Sequence, residues 1–218
     1  MSGLGAREAY RLWASTYAEN AVTFLDEELA KAICPPSAGL RLLDAGCGTG
    51  RRLAASQAAL GVGIDLTPEM LNEGGVSHAA AADVRALPFG AAEFDLVWCR
   101  LVLGYVEDLP AAYCELARVL RPAGFLFVSD FHSDAMAAGH KRTFRDAVGV
   151  VREAAHFVHV GEHHLGAAAQ TGLVLADRRD GRVDESVRPF YQRADRMNLY
   201  ERDRGLNVVA AFLFRRAG

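Results

Sequence analysis

Lysine is scarce in this chain. It occurs only at Lys31 and Lys141, although Lys and Arg together number 24 against 27 Asp and Glu. The net charge of −3 offers no basic excess to a phosphate backbone, so nucleic acid is not an expected partner. The preference for arginine reads as a compositional bias, not as phosphate recognition. A Cys-x-x-Cys pair is also missing. Cys34, Cys47, Cys99 and Cys114 are scattered, which argues against a zinc or dithiol site and fits a reducing compartment. No apolar run reaches the roughly 18 residues of a membrane span, and the first residues lack the basic-then-apolar pattern of an export signal. No membrane association is expected, and the expected location is the cytoplasm. There is no internal repeat and no low-complexity tract. What is present is ordinary: 218 residues, 51% hydrophobic and 23% charged, suited to one globular domain.

The hydrophobic pattern alternates between strand-like runs and helical stretches. Residues 6–33 read as helical, with Tyr10, Trp13 and Tyr17 on one face at i, i+3 and i+7. Pro35 and Pro36 close this segment. Strands are expected at Arg41–Asp44, Val62–Asp65, 78–82, Phe94–Cys99 and Phe125–Asp130. Helices are expected at 51–59, from Pro68 behind a Thr67 cap, and from Asp108 to about Leu120. Strands and helices alternating at this spacing imply a parallel sheet covered on both faces. Beyond 131 the pattern weakens, then gives a helix at 162–171, a strand at Leu173–Arg178, helix-compatible residues at 186–202 and a strong final strand at Leu206–Phe214. The expected fold is α/β, a three-layer sandwich. Its mostly parallel seven-stranded sheet ends in a C-terminal antiparallel hairpin. The whole of 1–218 is expected to be one domain, divided into an N-terminal helical cap (1–38), a binding core (39–131) and a last region (132–218).

In such a sheet, ligands bind beyond the carboxyl ends of the strands. The first strand runs into Asp44-Ala45-Gly46-Cys47-Gly48-Thr49-Gly50. Its G-x-G-x-G spacing differs from the dinucleotide fingerprint G-x-G-x-x-G, and no Lys-Ser/Thr follows to make a P-loop. The second strand ends in Asp65, where a carboxylate can accept both hydroxyls of a ribose. Asp83 follows the third strand, where a carboxylate can accept from an adenine amino group. Each acid alone is equally well a cap or turn residue. Together with the glycine loop, in order at three strand ends, they point to an adenosine-containing ligand.

These segments resemble the class I S-adenosylmethionine-dependent methyltransferases, which are Rossmann-like. The resemblance is carried by LLDAGCGTG at 42–50, GIDLTPEML at 63–71, AADVRALPF at 81–89, FDLVWCRLVLGYVED at 94–108 and LARVLRPAGFLFVSDF at 116–131. It implies a methyl transfer from S-adenosylmethionine to a small-molecule acceptor, leaving S-adenosylhomocysteine. It also implies that Asp44, Ala45 and the Gly46, Gly48 and Gly50 backbone hold the methionine portion. Asp65 would take the ribose, Leu66 pack on adenine, and Asp83 and Val84 read its edge. Arg100 and Leu101 would border the methyl group. The segment YRLWASTY resembles a cofactor-covering segment in which a tyrosine such as Tyr17 reaches the cofactor carboxylate. One departure stands out: Gly104 occupies a position where many relatives carry histidine.

On the acceptor side, His132 and Tyr105 are candidate catalytic groups, His132 because it directly follows the fifth strand. His156, His159, His163 and His164 lack a carboxylate–histidine framework, so no metal is expected. Residues 131–161 and 180–205, with Arg142, Arg145, Arg188, Phe190 and Tyr191, are expected to build the acceptor pocket. Two rival readings are a nicotinamide-dependent oxidoreductase, against which the loop spacing and the missing Tyr-x-x-x-Lys argue, and a non-catalytic protein that binds the same cofactor. Nothing in the sequence names the acceptor or the oligomeric state.

Overall fold

The computed structural model describes residues 3–218. The first two residues of the expected cap lie outside that range. Two cap helices come first, α1 (Ala6–Trp13) and α2 (Ala21–Ile33), joined through a 3₁₀ turn at Ala14–Thr16. The continuous helix expected over 6–33 is therefore interrupted. The cause is Asn20, whose side chain accepts from the Val22 and Thr23 amides while Thr23 Oγ1 accepts from the Asn20 amide, a reciprocal capping box.

The core then alternates as expected: β1 (Arg41–Ala45), α3 (Arg51–Ala54), β2 (Leu60–Asp65), α4 (Pro68–Gly74), β3 (Ala79–Ala81), β4 (Phe94–Arg100), α5 (Leu109–Val119) and β5 (Leu120–Phe131). Helix α3 is one turn long, shorter than the 51–59 expected. Asp108 caps α5 by accepting from the Ala111 amide, whereas the Thr67 side chain makes no capping bond at α4. The last third holds α6 (Ser133–Ala137), a small ribbon of β6 (Thr143–Arg145) and β7 (Val151–Glu153), then α7 (Gly161–Gln170), β8 (Leu173–Arg182), α8 (Arg188–Arg193), α9 (Met197–Asp203) and β9 (Asn207–Arg216).

Seven strands form one sheet in the order β3-β2-β1-β4-β5-β9-β8. The first five are parallel, and β9 lies antiparallel between β5 and β8. This is the Rossmann-like three-layer sandwich with its C-terminal antiparallel pair. Period-two alternation along β9 shows why both faces are covered. Ala210, Phe212 and Phe214 pack with α5 and α7 on one side, while Val209, Ala211 and Leu213 pack with α2 and α9 on the other. Among the described residues, no helix is long and apolar enough to cross a membrane.

The cap is fixed to the sheet by charge as well as by apolar contact. Asp26 of α2 is fully buried. It receives Arg100 from the end of β4 at 2.9 Å, Arg52 from α3 at 3.0 Å and the Ser129 hydroxyl of β5 at 2.6 Å. Removing one partner of such a cluster leaves buried charges uncompensated. Asp26→Ala is expected to lower unfolding free energy by roughly 3–5 kcal/mol, read by urea denaturation at neutral pH. A loss below about 1 kcal/mol, within the range of an exposed pair, would show that the cluster does not hold the cap.

Candidate active site

The carboxyl ends of β1, β2 and β4 meet the aromatic face of the cap around a cavity of about 530 Å³. It lies at the strand-order switch between β1 and β4, the position at which open α/β sheets take ligands. Two features make the floor and a third lies beneath it.

The first is the glycine loop after β1. Gly46 has φ of +90°, and a Cβ there would fall 2.1 Å from Val102 Cγ2. Glycine is therefore required by both conformation and space. The Gly46 and Cys47 amides both donate to the Ile64 carbonyl, at 2.7 and 2.9 Å, which draws the loop over the end of β2.

The second is Asp65. Its carboxylate accepts from the Gly48 amide at 2.9 Å and from the Thr67 amide at 2.8 Å. It organises the loop and the following turn, and an ionised carboxylate keeps further lone pairs for a ligand. Burial raises its pKa, against the pull of those two amides.

The third is Asp44, fully buried in β1. Neither of its carboxylate oxygens has a hydrogen-bond partner. Burial pushes its pKa up to about 6, although Arg52 and Arg100 pull it down. A buried carboxylate without a partner, beside a loop with exposed backbone, suits a ligand that brings positive charge.

Most of the residues expected from sequence meet at this cavity. Tyr17, Gly46, Gly48, Asp65, Leu66 and Asp83 line it, as do Val84, Arg100, Leu101 and Tyr105. Others do not. Asp44 and Ala45 are buried within β1. Gly50 begins α3 with φ of +70° and opens toward Val76, away from the cavity. Tyr17 is outside the helix whose face it was expected to share; it still packs on Tyr10 and Trp13, at ring distances of 6.3 and 5.1 Å.

His132 requires correction. It is not part of the cavity lining. Its Nδ1 accepts from the Asp134 amide at the start of α6, and its Nε2 lies 3.7 Å from Asp180. Its ring is spent on capping a helix. Arg100 lines the cavity, but its guanidinium is committed to Asp26 and Glu27. Those two contacts tie the end of β4 to the cap. Asp83 holds Arg85 through both carboxylate oxygens, which lowers its pKa, so an adenine amino group would share a carboxylate already engaged.

Gly104 has a structural explanation. A Cβ there would lie 2.7 Å from Asp130 Oδ1. Asp130 is buried and sits 3.5 Å from His164, whose other ring nitrogen meets the Tyr113 hydroxyl at 3.1 Å. A side chain at 104 would collide with this buried group. Among the described residues, no cluster of three or more His, Cys, Asp or Glu is arranged to hold a metal.

Sequence reasoning missed Asp26, Arg52 and Asn20. For Asp26 a signal existed: it lies on the stripe of Thr23 and Ala30, which the helix buries. Its partner Arg100 is 74 positions away, and no local pattern could pair them.

Comparison with known proteins agrees with this geometry. Residues 43–128 match the family model described as a methyltransferase domain. The malonyl-[acyl-carrier protein] O-methyltransferase of Enterobacter lignolyticus is 36% identical over 102 residues, covering 44% of this chain and 41% of that protein. The 27-O-demethylrifamycin SV methyltransferase of Amycolatopsis mediterranei is 34% identical over 126 residues, covering 52% and 46%. The matched segments thus span less than half the length of these relatives. The solved structure of an S-adenosylmethionine-dependent methyltransferase from Mesorhizobium loti shares the fold. Its TM-score is 0.68 at 22% identity, over 88% of this chain and 98% of that one. The fold and loop define a Rossmann-like nucleotide-cofactor site. Within that class, residues 43–128 match a methyltransferase domain, and the chain is similar in fold to S-adenosylmethionine-dependent methyltransferases.

Asp44 gives a direct test of the site's electrostatics. A folded-state pKa near 6 against 3.8 unfolded means that its contribution to stability is present below about pH 4 and lost as pH rises through 6. The shift corresponds to about 3 kcal/mol. Asp44→Asn is expected to stabilise the ligand-free protein by up to about that amount at pH 7.5 and to leave it unchanged near pH 4, measured by urea denaturation at both pH values. Destabilisation at pH 7.5 would mean that the carboxylate already has a compensating partner.

Proposed function

We propose that this chain transfers the methyl group of S-adenosylmethionine to a small-molecule acceptor. The observation that carries this reading is the continuity of the cavity. It runs from Asp83 and Leu66, past Asp65 and the glycine loop, into a chamber walled by Tyr10, Trp13, Tyr105 and Phe131. One end suits an adenosine, the middle a charged amino-acid portion, and the far end a second reactant.

Bound there, the cofactor would supply an electrophilic methyl on a sulfonium that becomes neutral as the methyl leaves. The chain's own contribution is proximity and exclusion of water. Asp65 would accept the ribose hydroxyls with the lone pairs left free by Gly48 and Thr67. Leu66, 43% exposed, would cover an adenine face. Asp44 would offset positive charge above the loop. Leu101 stands at the end of β4 in the left-handed region, φ +58°, a strained conformation for a leucine and one typical of a constrained site. Tyr105 accepts from the Tyr10 hydroxyl at 3.1 Å and from Arg142 Nε at 2.8 Å. Its own proton is thereby left to point at the acceptor as a donor.

The reading is tested by titrating S-adenosylhomocysteine calorimetrically. Asp65→Asn is the variant of choice: the Gly48 and Thr67 amides donate to different carboxylate oxygens, so the single carbonyl of Asn keeps one of them, whereas Asp65→Ala strands both. Loss of a charged acceptor is worth roughly 1.5–3 kcal/mol, so affinity should fall about 10-fold or more. Failure of the wild type to bind S-adenosylhomocysteine, with binding of a reduced nicotinamide nucleotide instead, would replace this reading with an oxidoreductase.

A further inference from the structure

The cationic side chains around the cavity are, with one exception, already neutralised. Arg51 has Glu19 at 4.0 Å, Arg52 has Asp26 at 3.0 Å, and Arg85 has Asp83 at 2.6 Å. Arg100 has Asp26 and Glu27 at 2.9 and 2.8 Å, and Lys141 has Glu153 at 2.8 Å. His140 is likewise against Asp203 at 3.0 Å. Arg142 is the exception: among the described residues no carboxylate lies within 4.0 Å of it.

Its direct contacts are neutral, and the buried Asp130 acts on it only from beyond ion-pair distance. The guanidinium lies 4.8 Å from the centre of the Tyr105 ring and 5.2 Å from that of Phe131. Nε donates to the Tyr105 hydroxyl at 2.8 Å, and one Nη2 hydrogen points to the Leu101 carbonyl at 3.4 Å. A guanidinium has five N–H donors, so the Nη1 pair and one Nη2 hydrogen remain. Those three form the fork that matches a carboxylate. The two rings fix the plane of that fork, and Nε is tethered, so the group is oriented before any ligand arrives. Cation–π contacts favour a cation in place but do not neutralise it.

We propose that Arg142 is the acceptor's anchor, recognising a carboxylate carried on an apolar or aromatic body. The body would lie against Tyr10, Trp13, Tyr105 and Phe131. This rests on the methyl-transfer reading and adds a substrate class to it. Glu107, the remaining lining acid without an assigned partner, is exposed and does not reach the fork.

The same chemistry could come from a second source, the cofactor's own carboxylate. Two measurements separate them. Wild type and Arg142→Met are titrated with S-adenosylhomocysteine and with 5′-methylthioadenosine, which has no carboxylate. S-adenosylhomocysteine-saturated protein is then titrated with matched acids and amides: benzoate with benzamide, hexanoate with hexanamide. We expect unchanged S-adenosylhomocysteine affinity in Arg142→Met. In wild type at least one acid should bind 10-fold or more tightly than its amide. That preference should vanish in Arg142→Met and partly return in Arg142→Lys, which keeps the charge but not the fork. The proposal is overturned if no acid is preferred by the wild type, or if the preference survives Arg142→Met. It is also overturned if S-adenosylhomocysteine binding weakens in Arg142→Met while 5′-methylthioadenosine binding does not, since the carboxylate would then be the cofactor's. The wild-type acid preference does not depend on any variant folding. Failure of the wild type to bind S-adenosylhomocysteine at all would defeat the methyl-transfer reading itself, a separate result.

Discussion

The cavity exists because Asp26 holds the N-terminal cap against the ends of the central strands. The carboxylate meets β4, α3 and β5 at once, accepting hydrogen bonds from Arg100 and Ser129 and pairing with Arg52. Such a buried cluster is weak evidence for net stability, since desolvation opposes the Coulombic gain. What it supplies is register. Helix α2 can sit at only one height and one rotation if Asp26 is to meet all three donors. The capping box at Asn20 then sets where α2 begins, and therefore where the chain turns back toward Tyr17 and α1. The aromatic wall of the chamber follows from that placement. Arg52 and Arg100 also line the cavity, so the groups that fix the cap are part of its floor.

A second constraint is the dual use of Asp65. By accepting from the Gly48 and Thr67 amides it orders the glycine loop without a ligand. Binding then needs little further ordering of backbone, which is how a preformed site gains affinity. Asp44 is the opposite case. Its ionised form has no hydrogen-bond partner in the ligand-free protein, and its raised pKa records that cost. The domain thus combines a loop that is already arranged with a charge that is not yet compensated. A cationic nucleoside ligand is favoured by both.

What was legible in the sequence was whatever depends on local pattern. The apolar runs located β1, β2, β4 and the buried half of β5, because buried parallel strands read as short continuous hydrophobic segments, though β5 begins five residues earlier, at Leu120. The glycine loop and the acids at the ends of β2 and β3 were legible because the fold puts ligands at strand ends. Boundaries were less so. The break at 17–20 was written in Asn20-x-x-Thr23 but hidden by the aromatic period that runs across it. The one-turn α3 carries no stop residue that would shorten it. Long-range pairings were not legible at all. His132 follows β5 as expected, yet its direction is set by Asp134 and Asp180. Arg142 is one arginine among many until the structure shows that its neighbours in the cavity are paired and it is not.

The acceptor side is distinctive in what its walls can do chemically. Tyr10, Trp13, Tyr105 and Phe131 offer rings and hydroxyls. Arg142 offers only donors. Of the lining residues, His140 is turned to Asp203 at 3.0 Å. His132, outside the lining, is turned into a helix cap, and Asp130 fills the space beside Gly104. Displacement at a sulfonium requires a base only when the nucleophile must lose a proton. A chamber built of donors and aromatic faces is therefore matched to a nucleophile that arrives ready. On the proposed reading the chain's contribution is alignment, with Arg142 and Tyr105 holding the acceptor from one side and the loop holding the donor from the other. On that division of labour, the missing histidine at 104 is not a defect in the site. The glycine leaves room for the buried Asp130–His164–Tyr113 group, which any side chain at 104 would displace.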